Sequence, residues 1–171
     1  FYAHGFLTVN GVKMSKTRGT FILAETYLNH LDPQYLRYSF AAKRVAGVDD
    51  IDLKLGDFVQ RENADLVSKV VNIARRCEGF PRERFDNRMS ASCSEPELVQ
   101  SFIAEGDGIA ALYEARKFNW AMTEIMSLAD RANLYIDEKK PRLMAKEDER
   151  DDQIQCVLSR IEYFPNTCHL P

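Results

Sequence analysis

Between Gly11 and Gly19 the chain reads Gly-Val-Lys-Met-Ser-Lys-Thr-Arg-Gly, placing Lys13, Lys16 and Arg18 within nine residues and no carboxylate among them. Glycines at both ends let the backbone move. Ammonium groups for charge, with hydroxyl and backbone N–H donors for oxygens, suit a mobile loop that closes on polyphosphate. Suppose a carboxylate attacks the α-phosphorus of ATP. Lys16 can then stabilise the charge developing on the α-phosphate and on the departing pyrophosphate, while Lys13 holds the outer phosphates. Met14 is an apolar peg for the closed loop, and Ser15 and Thr17 offer hydroxyls. Donors of this kind act mainly in the transition state, where losing one costs about 10²–10³ in rate. Alone, three cations make a solvated basic turn; the long ordered run over residues 13–20 favours phosphate chemistry.

Such a loop needs a strand before it and helices after it. Residues 1–10 alternate and are rich in aromatic and β-branched types, which predicts a strand ending at the Asn10-Gly11 turn. A short helix follows near 22–30. Asp32-Pro33 supplies an N-cap and a proline at the first helical position, opening a helix to about Lys43. Residues 48–53 read as a short, acidic, extended link. From Asp57 the pattern turns to long helices, which places a domain boundary near residue 50. Asp57 and Gln60 form a capping-box arrangement, and Val59, Leu66, Val70, Ile73 and Cys77 recur on one helical face. Gly79 and Pro81 end that helix. Ser94 and Glu97 make a second capping box, opening a helix to about Arg116 despite Gly106 and Gly108. A third helix near 119–138 carries the stripe Ala121, Ile125, Leu128, Ala129, Ala132 and Ile136, with Trp120 read as core; Pro141 closes it. A fourth, near 151–164, is cut off by Pro165.

With 171 residues, 45% of them hydrophobic and 29% charged, the chain can hold one domain, or one domain and a piece of another. It opens on Phe1-Tyr2-Ala3-His4-Gly5-Phe6, which reads as the middle of a fold, so an internal piece is expected. A net charge of −3 argues against bulk electrostatic binding of nucleic acid and leaves room for a local basic patch. Cys77, Cys93, Cys156 and Cys168 are scattered, the closest pair twelve residues apart and nowhere in C-x-x-C spacing; the one adjacent histidine, His169 beside Cys168, has no second cysteine near it in sequence. That argues against a zinc site in this segment and suits a reducing cytoplasm. No apolar run reaches the ~20 residues of a membrane span.

The run His4-Gly5-Phe6, then Thr8 to Phe21 through the Lys-Met-Ser-Lys-Thr loop, resembles the end of the catalytic domain in bacterial-type methionyl-tRNA synthetases. These are class I aminoacyl-tRNA synthetases whose ATP loop carries a Lys-Met-Ser-Lys-Ser signature. Asp49-Asp50-Ile51-Asp52-Leu53, with Phe58-Val59-Gln60-Arg61 and Asn63-Ala64-Asp65, resembles that family's stem-contact region. Val70-Val71-Asn72-Ile73-Ala74 with Arg76 resembles its first anticodon-domain helix. The resemblance covers residues 1 to about 164.

It implies a mainly α fragment: the C-terminal edge of a Rossmann-like α/β catalytic domain over 1–50, then an antiparallel α-helical anticodon-binding bundle over 51–164. Residues 165–171 depart from the family and read as an aberrant tail, for which a frameshift is the expectation. The implied activity is methionine–tRNA ligase: ATP, with Mg²⁺, activates L-methionine, which passes to tRNA(Met) in the cytoplasm. Lys16 and Lys13 would be catalytic, within the motif Lys13, Met14, Ser15, Lys16, Thr17. Asn72 and Arg76 match family residues that contact the CAU anticodon; four apart and well around the helix from Val70, they should face away from the core. The family's third reader, a tryptophan after a proline, is here Arg142 after Pro141, whose guanidinium plane can stack on a base. Other readings are a non-catalytic tRNA-binding module and an inactive gene remnant. The isolated fragment should be inactive, since the first half of the nucleotide fold is absent from it.

Overall fold

The computed structural model describes residues 5–44, 47–77, 85, 96–145, 153–155 and 157–158. Strands β1 (Leu7–Val9) and β2 (Val12–Lys13) form an antiparallel hairpin, Val9 opposite Val12. Asn10 and Gly11 turn it with φ of 51° and 75°, a left-handed pair that asparagine and glycine adopt readily. Strand β3 (Ile51–Leu53) is the acidic link, and it lies parallel to β1 on the other side, giving the order β2-β1-β3. The close approach at its start requires Gly5, where a Cβ would sit 2.1 Å from the Asp49 carbonyl oxygen.

Helices α1 (Ala24–Leu28) and α2 (Pro33–Lys43) fall where the sequence places them. The Asp32 carboxylate accepts the Gln34 N–H at 2.8 Å, capping α2 as expected.

Beyond β3 one continuous helical rod runs through α3 (Leu55–Glu62), a π-helical segment (Asn63–Val71) and α4 (Asn72–Cys77). Two expectations fail here. The helix starts at Leu55, directly off the strand, so Asp57 lies in its first turn and the Asp57–Gln60 capping box does not form. Val59 is 55% exposed, and Phe58 is buried in its place. The π segment is the cause. Its wider turns, marked by the Ser68 hydroxyl donating to the Asn63 carbonyl five residues back, move the buried stripe by about one residue.

Helix α5 (Pro96–Glu114) turns through Arg116, at φ 58°, into the longest helix, α6 (Phe118–Lys139). The short turn makes these two antiparallel. Lys140, at φ 48°, ends α6, and Pro141 opens the four-residue α7 (Pro141–Met144). The predicted α6 stripe is the core: Ala121, Leu128, Ala129, Ala132 and Ile136 are buried with Ile73, Phe102 and Ile109, and Ile125 packs against them. Tyr38, Ala41 and Ala42 of α2 pack on the same cluster, so the element after the basic loop shares the core of the bundle. Trp120 does not join it. At 57% exposed it lies on the solvent side of α6, because the buried face runs through its neighbours Ala121 and Met122. Ser94, Pro165 and the tail 165–171 lie outside the described residues; Ile154, Val157 and Leu158 of the fourth helix are buried.

Candidate functional site

The basic loop is suspended from the hairpin. Lys13 ends β2, and residues 16–19 form a turn closed by the Gly19 N–H to the Lys16 carbonyl at 3.4 Å. Thr20 fastens the base of the loop. Its hydroxyl accepts the Ser15 N–H at 3.0 Å and donates to the Lys13 carbonyl at 3.1 Å, and its own N–H reaches the Ser15 carbonyl at 3.3 Å. The Ser15 and Thr17 hydroxyls bond each other at 3.0 Å. Met14 is half-buried.

The two lysines rest on aromatic rings. Lys13 Nζ lies 4.5 Å from the centre of the Phe6 ring, and Lys16 Nζ lies 5.6 Å from that of Phe21. Cation–π contacts at exposed sites contribute about 0.5–1 kcal/mol, so they hold the ammonium groups without neutralising them. Neither lysine pairs with a carboxylate among the described residues. Incoming phosphate oxygens would meet full positive charge.

Asp52, read from the sequence only as part of an acidic link, anchors this hairpin. One carboxylate oxygen accepts the Thr8 hydroxyl at 2.7 Å and the Gly11 N–H at 2.8 Å. Those bonds, the Gly11 N–H foremost, hold its carboxyl below the usual range. Lys43 of α2 donates to the Asp52 carbonyl at 2.9 Å, and Asp50 accepts the Phe6 N–H at 2.7 Å. Acids at i and i+2 in an extended segment were the available signal; their partners, over forty residues upstream, were not.

The second group of candidates lies on the helical rod. Lys69 pairs with Asp130 at 2.8 Å, Asn72 Nδ2 donates to Asn133 Oδ1 at 3.3 Å, and Arg76 pairs with Asp137 at 2.5 Å. Every partner is 61 residues further along, and a constant difference means that the rod and α6 run parallel, side by side. Asn72 and Arg76 therefore do not point away from the bundle as expected. They flank Ile73 and lie half-buried in the groove along α6. Arg142 is exposed just past the end of α6, and its charge is felt at Cys77. Burial pushes the Cys77 thiol up to about 11, against the pull of Arg76 and Arg142. Arg76 and Arg142 thus both act on Cys77 near the end of α6, with Asn72 one turn before Arg76 on α4.

Glu62 was missed altogether. It is 8% exposed, its carboxylate oxygens have no hydrogen-bond partner among the described residues, and burial, reinforced by Asp65, pushes its carboxyl up to about 7. Tyr38 reaches Asp65 at 2.7 Å. Among the described residues no group of three or more His, Cys, Asp or Glu is placed to hold a metal ion, and no helix is long and apolar enough to cross a membrane.

Comparison with known proteins agrees with this arrangement. Residues 1–78 match the family described as tRNA synthetases class I (M). Two structures of Mycobacterium tuberculosis methionyl-tRNA synthetase, one in complex with methionyl-adenylate and one bound by it, superpose with TM-scores of 0.80 and 0.79. Each is 24% identical, over 93% of this chain and 32% of theirs. The chain thus spans about a third of the proteins it matches. The sequence match to the class I tRNA synthetases (M) extends over residues 1–78, and over 93% of its length the chain shares the fold of the two methionyl-tRNA synthetase structures.

Proposed function

We propose that this chain supplies the phosphate-binding loop and the anticodon-binding helices of a methionine–tRNA ligase, with residues 1–50 on the catalytic side and 51–164 in the helical domain. The observation that carries the reading is the loop of Lys13 and Lys16, presented unneutralised within the segment that matches the class I family. The methionine carboxylate attacks the α-phosphorus of ATP, the bond to the bridging oxygen breaks, and pyrophosphate leaves as methionyl-adenylate forms. Lys16 stabilises the charge building on the transferring and leaving phosphates, and Lys13 holds the outer phosphates. Mg²⁺ enters with ATP as part of the substrate. Transfer to the 3′ end of tRNA(Met) follows, with Asn72, Arg76 and Arg142 facing the anticodon loop.

Adenylation needs donors from both sides of the nucleotide. Residues 1–171 alone should therefore give no methionine-dependent ATP–pyrophosphate exchange, while a full-length protein carrying this segment should exchange. Exchange by the isolated chain, or exchange by the full-length protein with an amino acid other than methionine, contradicts the proposal.

A further inference from the structure

Asn133, on α6, belongs to no motif and carries no charge, yet every polar atom of its amide is committed. Nδ2 donates to the Lys69 carbonyl and to the Ala129 carbonyl, both at 3.0 Å. Carbonyl oxygens only accept, so the nitrogen must face them and Oδ1 must face the other way, toward Asn72. Its orientation is therefore fixed from two sides.

That fixed oxygen dictates the orientation of Asn72. Asn72 Nδ2 donates to it at 3.3 Å. Turned by 180°, the Asn72 amide would set oxygen against oxygen, losing the bond and adding repulsion. What Asn72 can then offer a ligand is one N–H and one carbonyl oxygen in a set order. A freely turning amide can satisfy an amino base edge or a keto edge at the same place; a held amide satisfies one of them.

We infer that Asn133 is a positioning residue that locks the Asn72 amide, so that this end of the bundle discriminates amino from keto bases at one position of an RNA loop. The inference rests on the reading of Asn72 as an anticodon contact.

The test uses the full-length enzyme and tRNAs in which each base of the CAU anticodon is exchanged in turn: C for U, A for G, U for C. The quantity read is the ratio of kcat/KM for the cognate tRNA to that for each exchanged one. Asn72→Ala should lower one ratio. Asn133→Leu should lower the same ratio by about fivefold, the worth of one net hydrogen bond, and adding it to Asn72→Ala should lower it no further. If Asn72→Ala changes no ratio, the anticodon reading of Asn72 falls and the inference with it. If Asn72→Ala lowers a ratio but Asn133→Leu weakens charging of every tRNA equally, Asn133 is merely structural and the inference alone falls. A measurement on the unmodified chain guards against a variant that does not fold. Of the two Asn72 side-chain amide protons, the one bonded to Asn133 should exchange with solvent more slowly in nuclear magnetic resonance; equal rates would overturn the lock.

Discussion

The proposed phosphate loop and the groove between α4 and α6 use the same kinds of residue to opposite ends. In the loop, Lys13 and Lys16 lie over Phe6 and Phe21 with no carboxylate partner among the described residues, on a hairpin held by the side chains of Asp52 and Thr20. In the groove, Lys69 and Arg76 face Asp130 and Asp137, and an amide pair sits between them. On the proposed reading, the cations that would meet phosphate are those with no carboxylate partner among the described residues. A cation beside a carboxylate instead follows the register of two helices packed side by side. Pairs this exposed are worth only about 0–1 kcal/mol, so the groove owes its geometry to the buried stripe beneath it rather than to its charges.

That contrast can be broken most severely at the stripe. Ile136 is 1% exposed in the centre of the bundle, and Ile136→Ala should cost about 2–5 kcal/mol in denaturant unfolding. Loop variants such as Lys16→Ala should leave the same transition in place. A smaller effect is expected in the groove. Asn72→Ala or Arg76→Ala in the full-length enzyme should cost about 1–3 kcal/mol in aminoacylation of CAU-bearing tRNA if each reads a base edge. Arg142→Trp should hold or improve discrimination between anticodons; equal loss for all anticodons with Arg76→Ala would make that residue a phosphate contact.

Much of the scaffold was legible, and what was legible is local. The Asp32-Pro33 start of α2, the Asn10-Gly11 turn and the stripe from Ala121 to Ile136 each depend on residues within a turn or two of one another. The failures are non-local or concern helical phase. Val59 was misplaced because nothing in residues 63–71 announces a π-helical turn. Asp52 could not be recognised as the hairpin anchor, since Thr8 and Gly11 are over forty residues away. Asn72 and Arg76 could be singled out, but not the groove they occupy. Trp120 was read as core because tryptophan usually is, although its neighbours Ala121 and Met122 already define the buried face.

A third position sharpens the comparison through its dependence on pH. Glu62 is a buried carboxylate with no hydrogen-bond partner among the described residues, and the nearby Arg61 charge only partly offsets its burial. Its carboxyl is raised from 4.5 to about 7 in the fold, so the chain prefers it protonated. The resulting stability is present below the unfolded value and is lost as pH rises through about 7. Glu62→Gln should therefore raise the melting temperature at pH 8, with the difference vanishing near pH 4. A benefit that is the same at both pH values would trace to packing instead.

The central claim is that the loop lysines act on charge that appears during the reaction. Its most direct test is methionine-dependent ATP–pyrophosphate exchange by the full-length enzyme with Lys16→Ala. The account predicts a fall in kcat of about 10²–10³ with KM for ATP near its original value. A rise in KM as large as the predicted fall in kcat, with kcat preserved, would contradict it.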